Sequence, residues 1–249
     1  MAKTNIQWTD FSWNIARGCT KVDEDCKFCY MYRDSFDGTR YNPLAVVRTK
    51  TVFNLPLRLK EPSKIFTCSL TDFFHEAIDS YRDEAWDIIR RCPQHTFQIL
   101  TKRPERIEAC LPTDWGGGWA NVWLGTSIGS EGAVHRMHTL AWIPAAIRFI
   151  SFEPLYGPIG TNWDLSEIMQ FQWVIIGGES GNESGKYRYR PCKTEWMEEL
   201  LYAFDSCGVA VFIKQMGTHL SKVLNMSDRH GGNIEEFPIG LRMRKFPKL

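Results

Sequence analysis

The sequence predicts an α/β fold in which parallel strands curl into a partial or complete (β/α) barrel of the TIM type. Three observations predict it. Short apolar, β-rich runs alternate with amphipathic stretches along the chain. The runs are close to continuously apolar, as strands are when helices cover both faces of a parallel sheet. Each run ends in polar residues, where parallel α/β folds bind their ligands. A doubly wound open sheet accounts for the first two observations equally well and stays open at this point.

Taken in order, Phe11 to Ala16 is a weak first strand and Lys64 to Leu70 (KIFTCSL) a clear second one. Ser80 to Arg91 places Tyr81, Ala85, Ile88 and Ile89 at helical spacing. Thr96 to Lys102 (TFQILTK) is the next strand, and Pro104 to Cys110 fits a helix with proline in its first turn. Val122 to Ile128 (VWLGTSI) is a strand, followed by a helix over Glu131 to Trp142 and a further strand over Ala146 to Phe152. Trp173 to Gly177 (WVIIG) is the most apolar run. Thr194 to Ser206 predicts a helix with Thr194 as cap and Gly208 as stop, and Val209 to Lys214 (VAVFIK) is the last strand. The count is about seven strands.

The chain has 249 residues, 43% of them hydrophobic and 24% charged, enough for a full core in one large domain. It reads as a single barrel domain over 1–249, with a loop at 18–30 and a basic extension at 218–249. Thirty basic and 29 acidic side chains leave a net charge of +1, so contact with nucleic acid must come from local patches. The opening MAKTNIQWTD lacks the apolar segment of a secretory signal. No run of ~18 apolar residues is present to span a bilayer. A cytoplasmic protein is expected.

The strand ends share a polar character: Ser69, Thr71, Asp72 and His75; Thr101, Lys102 and Arg103; Thr126 and Ser127; Ser151 and Glu153; Glu179 and Ser180; Lys214 and Gln215. One such end is only a polar loop. Six in succession predict a shared polar mouth.

Of the eight cysteines, Cys68, Cys92, Cys110, Cys192 and Cys207 lie among apolar neighbours and read as ordinary core thiols. Cys19, Cys26 and Cys29 differ. Their C-x6-C-x2-C spacing lets a Cys-x2-Cys pair turn onto one metal centre while the upstream cysteine closes the site through the loop. Structural zinc takes four ligands, whereas a four-iron cluster held by three thiolates keeps one iron open. Zinc completed by a distant histidine, a purely structural cluster and reduced unliganded thiols remain alternatives. None of the six histidines has zinc-finger spacing from Cys29.

Through Cys26-Lys27-Phe28-Cys29, aromatic residue included, the segment resembles the radical S-adenosylmethionine (SAM) superfamily. That signature spaces its cysteines C-x3-C-x-aromatic-C, so the first gap here is three residues longer. The whole chain looks like a phage- and bacterium-borne radical-SAM-like group. The match runs through Trp8-Thr9-Asp10, Trp13-Asn14, Gly18 to Tyr30, Ser69 to His75, Thr101 to Pro104, Phe152 to Leu155, Gly177 to Gly181 and Phe212 to Gln215. The resemblance implies a [4Fe-4S] cluster on Cys19, Cys26 and Cys29, with SAM as second cofactor. It also implies a radical that takes a hydrogen atom from substrate, and an electron donor such as flavodoxin or ferredoxin.

It further places Ser69 and Asp72 where a methionine-amine acceptor is expected. The superfamily's Gly-Gly-Glu segment follows the second strand, but here Gly177, Gly178 and Glu179 follow a late one. Glu179 therefore reads as a cofactor or substrate ligand, or as part of a tight turn. Thr101, Lys102 and Arg103 suit a carboxylate or phosphate. Ser127 and Glu153 suit ribose hydroxyls or a polar substrate group. Lys214 points to the mouth, His75 is a candidate proton donor, and Phe28, Tyr30, Tyr32 and Trp13 either exclude water, stack on adenine or pack the core. Two basic stretches, Lys186 to Arg190 and Arg242 to Lys248, read either as solvated faces or as contacts to nucleic acid. A nucleobase or nucleotide substrate is expected, such as a hypermodified thymine of phage DNA undergoing rearrangement. Modification of tRNA or of a peptide, and a metal-stabilised binding module without turnover, are the competitors.

Overall fold

The computed structural model describes residues 4–32 and 42–248. Strand β1 (Phe11–Trp13) opens the main sheet. Strands β2 (Ala16–Arg17) and β3 (Val47–Arg48) form a separate antiparallel ribbon. The main sheet continues through β4 (Lys64–Thr67), β5 (Thr96–Thr101), β6 (Val122–Ser127), β7 (Ile147–Leu155), β8 (Trp173–Gly178) and β9 (Ala210–Gln215). Helices α1 (Arg82–Arg90), α2 (His135–Ala141), α3 (Leu165–Ile168), α4 (Thr194–Asp205) and α5 (Gly217–Val223) lie in the crossovers or follow the last strand.

The sheet order is β1-β4-β5-β6-β7-β8-β9, every pair parallel. Each strand therefore lies beside its predecessor in the sheet, with no reversal of order. That rules out the doubly wound alternative, whose order reverses at a switch point. β1 and β9 are edges rather than partners, so the barrel is partial: a curled half-barrel with α2 against β6 and β7, and α4 against β8 and β9.

Residues two apart along a strand share a face. Ile65, Ile99, Leu124, Ile150, Val174 and Ile213 belong to the core under the helices. Phe66, Trp123, Phe149, Trp173, Ile175 and Phe212 belong to a second cluster, on the concave side. Along β6 the concave column reads Trp123, Gly125, Ser127, and along β7 Ile147, Phe149, Ser151, Glu153. The concave face thus grades from an aromatic floor to a polar rim. Gly125 keeps the floor packed: a Cβ there would sit 2.3 Å from the Phe149 ring.

Several expectations are corrected. The first strand stops at Trp13, because Asn14 turns the chain and Ala16 joins the ribbon. Pro104 to Cys110 forms two short 3-10 turns, and the helix expected from Glu131 is a 3-10 turn leading into α2. Thr194 is the first helical residue, not the cap; Lys193 holds that place without a side-chain bond. Gly208, at φ +78°, does end α4.

The basic tail packs on the sheet. Met243 to Lys245 lies along the free edge of β9, with Ile213 N donating to Met243 O at 2.8 Å and Lys245 N to Val211 O at 2.8 Å. Arg244 donates to the carbonyls of Ile213, Lys214 and Gly232, and Lys245 pairs with Asp205. These cations cover a sheet edge that would otherwise expose unpaired backbone. Phe246 stacks on Trp173 at 5.4 Å between centroids and closes the floor from below. Phe246→Ala is expected to cost about 1–2 kcal/mol, below the ~3–5 kcal/mol of a fully buried ring because this one is partly exposed. A fall in the urea midpoint checks it.

All eight cysteines are free thiols. Cys68, Cys92 and Cys192 are buried, while Cys110 and Cys207 are half-buried. Burial pushes the Cys192 thiol up to about 12. No helix among the described residues is long and apolar enough to cross a membrane.

Candidate active site at the carboxyl mouth

The cysteine loop leaves the top of β1. Asn14 anchors its base: Oδ1 accepts from Leu70 N at 2.7 Å, and Nδ2 donates to Ser69 Oγ at 3.0 Å. Gly18 follows at φ +100°, donating to Leu70 O at 3.1 Å. A Cβ on Gly18 would lie 2.2 Å from Ala45 O, inside any allowed contact. Gly18→Ala is therefore expected to destabilise by more than the ~1 kcal/mol of an ordinary glycine replacement and to displace Cys19. Thermal unfolding and metal content of the variant check both effects.

Cys19 N donates to Pro43 O at 2.9 Å, and Tyr32 Oη donates to Cys19 O at 2.7 Å. Asp23 caps a 3-10 turn over Glu24–Cys26 by accepting from Asp25 N. Asp25 is buried, although the sequence marked nothing there. Its Oδ2 accepts from Arg136 Nη1 at 2.9 Å and from Gly129 N at 3.1 Å, and its Oδ1 from Tyr156 Oη at 2.5 Å. Arg136 also pairs with Asp23. The loop is thus bolted to the β6–α2 connection.

The thiols of Cys19, Cys26 and Cys29 all line one cavity of about 480 Å³ above the concave face. Such a volume suits a nucleoside-sized ligand. Among the described residues no group of three or more His, Cys, Asp or Glu side chains is gathered tightly enough for a single metal ion. A lone zinc needs its sulfurs together at ~2.3 Å from one centre. A four-iron cube takes each thiolate on a separate corner and wants them spread around a larger body. Three cysteines of one loop on one cavity are a soft donor set of the kind an iron–sulfur cluster takes. Burial pushes the Cys19 thiol up to about 11, the Asp72 carboxylate adding to the rise and the Arg103 guanidinium opposing it. Burial also raises the Cys29 thiol.

Of the other residues singled out from sequence, Phe28, Tyr30, Ser69, Asp72, Thr101, Lys102, Arg103, Ser127, Glu153, Gly178, Glu179 and Lys214 line this cavity; Gly177 and His75 do not. Asp72 is 5% exposed, with its acceptor positions in use. Oδ1 accepts from Thr101 Oγ1 at 2.7 Å and Phe74 N at 3.0 Å. Oδ2 accepts from Lys102 N at 3.0 Å and Arg103 Nη1 at 3.3 Å. His75 lies behind the wall. Its Nδ1 accepts from Ala77 N at 3.1 Å, which leaves the ring proton on Nε2, 3.0 Å from Thr20 Oγ1. Burial, with Arg103 nearby, lowers its pKa and keeps the ring neutral.

Glu179 is gripped by Arg190, a residue of the basic stretch. Nη2 donates to Oε1 at 2.7 Å, while Nε at 2.8 Å and the backbone N at 2.7 Å donate to Oε2. Arg190 Nη1 reaches across to Glu24 O at 2.8 Å, and its guanidinium stacks over Tyr156 at 3.4 Å. Arg188 lies over the Phe28 ring. Both cations brace the cysteine loop, Arg190 half-buried and Arg188 still exposed to solvent. Glu153, on β7, and Lys214, on β9, pair with each other across the intervening β8. Two residues before Glu153 on β7, Ser151 Oγ is buried without a hydrogen-bond partner among the described residues. Gly178 admits a close backbone crossing, since a Cβ there would lie 2.2 Å from Met216 O.

Sequence reasoning missed Asp25, Arg136, Tyr156 and Thr20 as parts of the site. Arg190 sat in a stretch already marked as basic, so its charge was visible but its partner was not. No signal in the sequence marks the others, whose partners come from distant strands and helices.

Fold and site together define a class: an open parallel (β/α) half-barrel with a three-thiol loop folded over its carboxyl mouth. Among solved structures, a cysteine-to-serine mutant of spore photoproduct lyase matches with a TM-score of 0.54 at 12% identity, covering 85% of this chain and 78% of that one. At that identity the likeness is one of fold. A search of curated proteins finds no match. The chain belongs to the family described as "Protein of unknown function (DUF5131)", matching over residues 3–237.

Proposed function

We propose that this protein is a radical SAM enzyme, with a [4Fe-4S] cluster on Cys19, Cys26 and Cys29 and SAM in the cavity beside it. One observation carries the reading: three thiols of one loop line the same cavity at the carboxyl edge of a half-barrel. The fold likeness to spore photoproduct lyase supports it. When bound, the cluster and SAM would together supply a 5′-deoxyadenosyl radical able to take a hydrogen atom from substrate.

The chain's own residues position and seclude. Tyr30 closes the loop side of the cavity and fixes its hydroxyl on Ser69 O. Phe28, under the two arginines, keeps water from the thiols. Lys102 offers a cation for a carboxylate. Ser127 and the unpartnered Ser151 hydroxyl offer donors for a ribose. Glu153 and Lys214 present an acceptor and a donor toward the substrate end, above the rings of Trp8 and Phe66.

The substrate we infer is a nucleobase or nucleotide, such as a hypermodified thymine of phage DNA, changed by rearrangement or group transfer. The aromatic floor under a polar rim suits a flat polar ring. A neighbour in fold named for a spore photoproduct agrees with that class. Flavodoxin or ferredoxin is the electron donor expected of such chemistry.

Anaerobic reconstitution tests the reading. A brown protein with about four iron per chain, releasing 5′-deoxyadenosine only with reductant, is the expected result. Colourless, zinc-loaded protein that leaves SAM intact rejects it. Incubation with nucleosides, oligonucleotides, tRNA and peptides, read by mass spectrometry, tests the substrate class.

A further inference from the structure

Arg103 occupies an unusual position for a residue first read as an anion ligand. It is 5% exposed. Its Nη1 lies 3.8 Å from Cys19 Sγ and 3.3 Å from Asp72 Oδ2. Its Nη2 donates at 2.9 Å to both the carbonyl and the hydroxyl of Thr20, the residue after Cys19. The guanidinium is therefore spent on one cysteine, its neighbour and one carboxylate. Asp72 is itself pinned by Thr101 and two backbone amides, and Thr20 by His75. A charge held this firmly does not swing out to follow a ligand.

The geometry points to Arg103 as a positioning residue that acts through the Cys19 sulfur and sets the reduction potential of the cluster, with Asp72 as its counterweight. This rests on the cluster reading above. Reduction adds negative charge to a cluster. A nearby cation and an N–H directed at a ligating sulfur favour the reduced form and raise the potential, and a nearby anion lowers it. Asp72 and Arg103 therefore pull in opposite directions on the same sulfur.

The signs give the test. Reconstituted wild-type protein, Arg103→Gln and Asp72→Asn are titrated anaerobically, following the reduced cluster by electron paramagnetic resonance. Arg103→Gln is expected to lower the reduced-to-oxidised ratio at a fixed potential by about tenfold, or about 59 mV for a one-electron couple. Asp72→Asn is expected to raise it. Opposite shifts support the assignment. Unchanged potentials, or shifts of the same sign, overturn it, as does a rise in KM for SAM in Arg103→Gln with no change in potential, which would return Arg103 to anion binding. If Arg103→Gln does not hold iron, Asp72→Asn decides alone: a rise supports, no change or a fall overturns. Wild-type protein that takes up no iron would instead overturn the cluster reading and this assignment with it. A normal cluster whose potential ignores both variants leaves the cluster reading standing and removes only the role of Arg103.

Discussion

Cys26→Ala is expected to give a folded protein that neither holds a complete cluster nor cleaves SAM. The thiol lies in a 3-10 turn whose anchors, Asp23, Asp25 and Arg136, are untouched by the change. Loss of one small side chain therefore leaves the half-barrel and its loop in place. On the proposed cluster, loss of one of three ligands would leave a second iron without a protein thiolate. Iron content is expected to fall from about four per chain to well below that, with 5′-deoxyadenosine at background. Circular dichroism is expected to stay as in wild type. Cys207→Ala is the control. That thiol is half-buried beyond the last turn of α4, outside the cavity lining. Its removal is expected to cost about 1 kcal/mol or less and to leave turnover intact. If Cys207→Ala abolished cleavage while Cys26→Ala preserved it, the assignment of the ligands would be wrong.

Arg136→Met is expected to produce the largest loss of stability of any variant considered. Arg136 and Asp25 are both 2% exposed in their side chains. Removing the cation leaves a buried carboxylate that keeps Gly129 N and Tyr156 Oη as the partners of its side chain among the described residues. Breaking a buried pair from one side costs about 3–5 kcal/mol. For a chain of this size that is roughly 6–20 °C in melting temperature. The double variant Asp25→Leu with Arg136→Met, which removes both charges, is expected to recover part of the loss. Because the pair holds the cysteine loop, the single variant is also expected to release its iron faster to a chelator. A loss under ~1 kcal/mol, or a double variant worse than the sum of the singles, would show that the loop is held by other contacts.

Much of the fold was legible. β4 through β9 lie within a few residues of their expected places, because short, nearly continuous apolar runs bounded by polar ends mark buried parallel strands. The mouth was legible for a related reason. In a parallel sheet every strand points the same way, so polar residues that follow each apolar run gather at one end. The short elements were not legible. α3 and the β2–β3 ribbon are too brief for any periodicity to show, and Pro104 to Cys110 kept a helical composition but lacked length for more than single turns.

The basic segments show the other limit. Arg188, Arg190, Arg244 and Lys245 read as charge in the sequence, and charge alone does not say what it faces. Each meets a partner supplied by another part of the chain: Phe28, Glu179, the free edge of β9 and Asp205.

The sequence by itself determined the parallel α/β strands with their polar ends and the trio of thiols. Both depend on local properties, residue type and spacing, that hold wherever the segment lies. Only the tertiary structure decided which charges are spent on the protein and which face the cavity. Asp25 and Arg136 stand 111 residues apart, and Glu153 and Lys214 stand 61 apart. Such pairs form only because curling the sheet brings distant strand ends to one rim, and nothing in the neighbourhood of either partner records the other.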